Sequence, residues 1–224
     1  MSPRLNLAAL TAEELQLLLG EGAAQRLLPE VGQARLAGRS VPGRDILTEL
    51  TFEPQPERGW GATPEASRQL ARLRAGLEQL GGQDLGVYYL PGLPEVRHQR
   101  AYLLVPDVAV ALRWSETPSS PSGPEPFVVA ATLLRDRASG MAAVVSSTAS
   151  VPFALTQSEE IDARLVLGAT PEALLEAHRT QVQRNGRGVR LTQASDWQRV
   201  FQTVRQLNVQ AWTRRGLLLE DQAG

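Results

Sequence analysis

Serine and histidine are the first residues of this 224-residue chain to test for chemistry. Ser146 and Ser147 sit side by side in Val-Val-Ser-Ser-Thr, and the chain has two histidines, His98 and His178. A serine next to a histidine and a carboxylate is the arrangement of nucleophilic hydrolysis, in which the imidazole takes the hydroxyl proton. No Gly-x-Ser-x-Gly turn surrounds either serine. Both fall at the end of an expected strand, where no strained elbow lifts a hydroxyl into solvent. His178 lies in the middle of an apolar helical stripe with Leu174, Leu175 and Val182. That spacing predicts a buried core histidine, neutral near pH 7, with one ring nitrogen bonded locally. His98 falls in the polar run Glu95-Val-Arg-His-Gln-Arg100 and reads as part of an exposed strand or loop. A hydrolase is the least favoured of three functional readings.

Metal and nucleotide chemistry find no motif. With no cysteine there is no disulfide, thiolate metal site or cysteine nucleophile. The two histidines form no His-x-x-x-His pair. Glu159, Glu160 and Asp162 lack the spacing and the glycine of a calcium loop and read as a solvated acidic segment. The basic residues number 23, and all are arginine. Without lysine there is no Walker-type phosphate loop. Asn185-Gly-Arg-Gly188 is glycine-rich but follows a helix, whose C-terminal end repels phosphate, so it reads as a helix-ending turn. No cofactor is expected.

Arginine recognises phosphate through its planar fork, so nucleic acid is a second reading. From Arg179 to Arg215 there are eight arginines against one acid, Asp196. Arg184, Arg187 and Arg190 form a loop trio able to contact phosphates. Against it, the last helix carries no basic stripe, and no aromatic residue is interleaved with the loop to stack on a base. The chain through Ala163 holds 14 arginines against 19 acids, so a solvated or internally charge-matched face is the favoured explanation of the basic part. The net charge of −1 gives no global field for steering polyanions or membranes.

The elements that would hold these residues come from caps and periodicity. Thr11-Ala-Glu-Glu14 is a capping box ahead of Leu15, Leu18 and Leu19, with Gly20 and Gly22 as the interruption. A short helical piece is expected over Ala23 to Leu28, stopping at Pro29, and a strand over 46–53. Thr63-Pro64-Glu65 opens a helix carrying Ala66, Leu70, Leu73, Leu77 and Leu80 and closing at Gly81-Gly82. Five strands follow, over Leu85–Leu90, Val96–Val105, Val108–Trp114, Phe127–Arg135 and Met141–Thr148, with a Pro/Ser/Gly-rich loop over Ser115–Pro126. No helix-length segment separates them, which predicts an antiparallel meander without parallel crossovers. Thr170-Pro171-Glu172 opens a helix to about Arg184, and Ser195-Asp-Trp-Gln198 is read as a capping box for the last one.

The expected fold is α+β, an antiparallel meander of about five strands packed with amphipathic helices. An N-terminal extension over 1–62 precedes an α+β domain over 63–224. A composition of 42 % hydrophobic and 21 % charged residues fits a globular chain, and no stretch approaches a spanning helix. A cytoplasmic protein with no membrane partner is expected.

Residues 76–217 resemble a scattered group of uncharacterised bacterial α+β proteins. The likeness rests on Leu-Pro-Gly-Leu-Pro at 90–94, Leu-Gly-Ala-Thr-Pro-Glu-Ala-Leu-Leu-Glu-Ala-His at 167–178 and Trp-Thr-Arg-Arg-Gly at 212–216. These motifs are structural punctuation, so the resemblance implies a fold and no activity or site residue. The favoured expectation is a non-enzymatic domain acting through protein contacts or self-association. Nucleic-acid binding through Arg184, Arg187 and Arg190 is the alternative.

Overall fold

The structure, a computed structural model, describes residues 2–91, 96–116, 125–150 and 153–219. Of the expected turn at 90–94 and loop at Ser115–Pro126, positions 92–94 and 117–124 lie outside the described residues. Two compact units divide the chain. One gathers Met1–Glu49, Pro152–Ser158 and Arg205–Gly224; the other gathers Leu50–Val151 and Glu159–Val204.

The first unit is a three-stranded antiparallel sheet with helices. Its strands are β1 (Arg4–Asn6), β2 (Pro42–Asp45) and β10 (Leu218–Leu219), in the order β10-β1-β2. Helix α1 (Ala12–Leu19) starts as its capping box dictates. Glu14 N donates to Thr11 Oγ1 at 3.1 Å, and Thr11 N donates to Glu14 Oε2 at 2.9 Å. Gly20, at φ +78°, then breaks the chain direction.

Helix α2 (Glu21–Leu36) does not stop at Pro29 but runs through it. Ala24 before the proline and Val31 and Ala34 after it are all buried. Burial on both sides outweighs the one backbone bond that proline removes. The strand expected over 46–53 is absent. Ile46 is instead buried with Leu5, Leu15, Val31 and Trp212, while β2 ends before it and β3 (Glu53–Gln55) begins after it.

The second unit is a seven-stranded mixed sheet, ordered β3-β4-β5-β6-β7-β8-β9. It comprises β3, β4 (Gln83–Tyr89), β5 (His98–Leu104), β6 (Val108–Trp114), β7 (Phe127–Leu133), β8 (Ala143–Ser147) and β9 (Ile161–Leu165). The five expected strands are its centre, and each pairs antiparallel with the next. The class is α+β, but the sheet is not a five-stranded meander. β3 adds an antiparallel edge at one side, and β9 pairs parallel with β8 at the other. A parallel return needs about a dozen residues, not a helix, and the connection from 148 to 160 is long enough.

Both faces of this sheet are covered. Helices α3 (Pro64–Gln79) and α4 (Pro171–Asn185) lie on one, burying Leu70, Leu77, Leu174 and Leu175 against Tyr102, Val110 and Val128. The other is met by the start of α5 (Ala194–Arg214), where Trp197 Nε1 donates to Val110 O at 2.8 Å and its ring stacks on Tyr88. Ser195 does not cap α5. Asp196, one residue later, accepts from the backbone amides of Thr192 and Gln193 at 2.7 and 3.1 Å, because an acid in the first turn reaches back to unpaired amides. Among the described residues no helix is long and apolar enough to cross a membrane.

Candidate functional site

The sheet does bring a serine and a histidine together. Ser146 on β8 points at α4, and its Oγ lies 2.9 Å from His178 Nδ1. On the other side of the ring, Nε2 lies 3.0 Å from Thr132 Oγ1 of β7. Both ring nitrogens are thus bonded, and to residues far away in sequence, where a single local bond was expected. The proton positions follow from Gln181. Its Nε2 donates to Asp162 O at 2.9 Å, which turns Oε1 toward Ser146 as an acceptor at 3.0 Å. The Ser146 hydroxyl spends its one proton there, so Nδ1 carries the ring proton and donates to Ser146. Nε2 is left to accept from Thr132, whose proton is shared with Asp107 O at 3.1 Å.

That arrangement opposes hydrolysis. The ring nitrogen facing the serine already holds a proton, and no carboxylate is bonded to the ring among the described residues. Ser146 and His178 are both fully buried. Burial, helped by the Arg179 charge nearby, lowers the His178 pKa to about 4. Ser147 points to the opposite face, 1 % exposed, and accepts from Ala149 N at 3.1 Å. His98 joins neither serine and is not on an exposed strand. It is half-buried at the start of β5, with ring centroids of Trp60, Tyr89 and Trp114 at 5.1, 5.4 and 5.8 Å. Its buried polar neighbours are matched in part, Gln99 Nε2 having no partner among the described residues. Arg100 bonds Asp84 and Glu57, and Gln99 accepts from Arg113. Desolvation lowers the His98 pKa as well.

The arginine trio lies elsewhere, at the end of the sheet where β7 leaves and α4 stops. Arg184, Arg187 and Arg190 are all exposed. Beyond α4 the chain runs alongside the end of β7. Arg135 N donates to Arg187 O at 2.7 Å, Val189 N to Leu133 O at 2.8 Å, and Leu191 N to Pro106 O at 2.9 Å. Glycine permits this close approach. A Cβ at Gly188 would run into the Asp107 side chain, and one at Gly186, where φ is +145°, would stand 2.5 Å from Asp136 Oδ1. The pairing sets Arg135 beside the trio, and Arg179, on α4, is exposed nearby in the chain.

Among the described residues none of these five arginines has a carboxylate within ion-pair distance, whereas Arg137 pairs with Glu160 at 2.7 Å. Asp107 and Asp136 are the acids packed against the glycines. Burial raises the Asp107 pKa and the Arg179 charge opposes the rise. Internal charge matching, one of the two outcomes expected for the basic part beside a solvated face, holds at Arg215, which donates two hydrogen bonds of 2.8 Å to Glu14, and at Arg199 with Asp196. It does not reach the trio. Arg135 was missed in the sequence because its turn is an ordinary charged one, and only strand pairing places it here.

No group of three or more metal-binding side chains occurs among the described residues. No family model, no curated protein and no solved structure matches the chain.

Proposed function

We propose that this protein is a non-enzymatic binding domain whose binding surface is the arginine-rich end of the seven-stranded sheet, and that its partner is nucleic acid held through the phosphates. One observation carries the reading: the backbone pairing of 133–135 with 187–189 gathers Arg135 with Arg184, Arg187 and Arg190, all exposed and, among the described residues, without a carboxylate partner. Such surface guanidiniums gain by replacing the counterions of a phosphate backbone. The C-terminus of α4 contributes about half a negative charge, and the clustered guanidiniums exceed it several-fold. A protein partner or a second copy of the chain, the first expectation from the sequence, gains no comparable apolar patch. Of the exposed large apolar residues, Leu19 and Leu36 are the last residues of α1 and α2, and Val105 and Leu167 lie in connections between elements.

Fluorescence anisotropy with labelled single- and double-stranded DNA and RNA, at two salt concentrations, tests this. Each phosphate neutralised on duplex DNA predicts a log–log salt slope of about −0.9. Replacing Arg184, Arg187 and Arg190 with Gln should flatten the slope by roughly 0.9 for each phosphate released, and adding Arg135→Gln should flatten it further. An unchanged slope in the triple variant excludes this surface. Absence of binding at low salt excludes the class.

A further inference from the structure

The two edges of the seven-stranded sheet are built differently. At one, the short β3 contains Pro54 and is followed by Pro56. Proline has no N–H to offer an approaching strand, so this edge is blunted. At the other, β9 reads Ile161-Asp-Ala-Arg-Leu165, with neither proline nor glycine. Helix α4 packs over β7 and β8, and one side of β9 bonds β8. That ladder runs from Glu160 O, which accepts from Ala143 N at 3.2 Å, to Val166 N, which donates to Ser147 O at 2.8 Å. The N–H and C=O of one residue point to the same side of a strand, and the side alternates from residue to residue. The even-numbered residues therefore face β8, and the backbone groups of Ile161, Ala163 and Leu165 face outward. None of these groups has a hydrogen-bond partner among the described residues.

The side chains of this edge are complementary to themselves. Asp162 and Arg164 stand on the α4 face, since Asn185 Nδ2 of α4 donates to Asp162 Oδ2 at 2.6 Å and Arg164 is the β-partner of Ser146. Arg164 is exposed and has no ion pair among the described residues. Antiparallel pairing of the edge with itself about Ala163 sets Asp162 opposite Arg164 of a second copy, twice, and Ile161 opposite Leu165. The backbone agrees with the charges. Ile161, Ala163 and Leu165 would form the hydrogen-bonded pairs, which leaves Asp162 and Arg164 in the closer non-bonded pairs, with Cα atoms about 4.5 Å apart. Charges on an edge strand commonly repel a second strand, and a like-charged edge would do so here. This edge carries opposite charges placed symmetrically about one residue, so they attract in the paired register. A slip of two residues either way sets Arg164 against Arg164 or Asp162 against Asp162, which fixes the register.

We propose that two copies of this chain associate through β9, antiparallel about Ala163, and so join their sheets into one. The bonds come from the free strand edge, and the two Asp162–Arg164 pairs select a second copy over an unrelated strand. One short strand pair is a small contact, so the association is weak and reversible. It is independent of the nucleic-acid reading, because β9 carries none of the arginines of that surface.

Sedimentation equilibrium of the full chain at low salt, from micromolar to near-millimolar concentration, tests it. A reversible monomer–dimer equilibrium is expected, with the Ala163 and Leu165 amides exchanging more slowly as the dimer fills. Arg164→Asp sets acid against acid in both pairs and should weaken self-association by about tenfold. Asp162→Arg sets arginine against arginine with the same result. Mixing these two variants restores opposite charges in both pairs, so the mixture should dimerise where each alone does not. Ala163→Pro removes an outward N–H while leaving the ladder to β8, and should abolish the dimer. Thermal melting checks the fold of each variant. Ala163→Pro and Arg164→Asp decide the matter if Asp162→Arg, which loses its bond to Asn185, does not fold. A chain that stays monomeric throughout overturns the proposal, as does a dimer unmoved by Ala163→Pro or by Arg164→Asp.

Discussion

His178 illustrates how a buried polar residue is held by the placement of protons. In its network with Ser146, Thr132 and Gln181, the ring proton and both hydroxyl protons each have an acceptor. Removing the ring by His178→Leu strands no donor, since Ser146 still donates to Gln181 and Thr132 to Asp107 O. The cost should be about 1–2 kcal/mol. Ser146→Ala is worse, about 2–3 kcal/mol, because it strands the Nδ1 proton and Gln181 Oε1 together. Urea denaturation of both variants at pH 7 gives the order, and an equal or reversed order refutes the proton assignment. The ring also sets a pH dependence. Its folded pKa is about 4, below the ordinary 6.5 that applies in the unfolded chain. Between those values the unfolded chain binds a proton that the folded chain refuses, so stability falls as pH drops from 6.5 through 4, by about 3 kcal/mol in all. His178→Leu should lack most of that fall. Glu14 acts lower down: burial alone would raise its pKa, but Arg215 and the amides of Thr11 and Thr156 hold it at about 2. Its contribution is lost only as pH falls from 4.5 toward 2, which separates it from the histidine.

At the scale of elements, caps and stripes were legible where the chain speaks locally. Thr11, Thr63 and Thr170 each accept the backbone amide three residues on, as their motifs dictate. The same local rules failed at Pro29, where burial by residues distant in sequence decides whether the helix continues. Pro29 itself is exposed, so Pro29→Ala should restore the bond to Gln25 O without disturbing the core. Stability should rise by about 1–2 kcal/mol, less than the full helix penalty of proline because the unfolded chain also gains freedom. A thermal melt that shifts downward would show that α2 depends on its proline. Strand 46–53 failed for a related reason. Its alternation is real, but Ile46 is claimed by the helical core of the first unit, and a strand whose leading residue is buried elsewhere has no register to keep.

Over the whole molecule, the close approach that builds the arginine end runs through two glycines. Gly188→Ala drives a methyl group into Asp107 and should cost about 1–3 kcal/mol by overpacking, measured by urea denaturation. If the segment is displaced from β7, nucleic-acid affinity should fall with it, and affinity unchanged alongside reduced stability would separate the loop from binding. The sequence by itself determined the α+β class, the five central strands, the three threonine-capped helices and the burial of His178, because each depends on neighbours a few residues away. It also marked Arg184, Arg187 and Arg190 as a charge cluster. The tertiary structure alone decided that β9 returns parallel to β8, that residues 1–49 group with the last twenty, that Arg135 joins the trio, and that Ser146 meets His178 in a sealed interior. Most of these pairings join residues tens to hundreds of positions apart. Chain periodicity records which face of an element is apolar; which other element covers that face is settled only by the packing and hydrogen bonding of the whole.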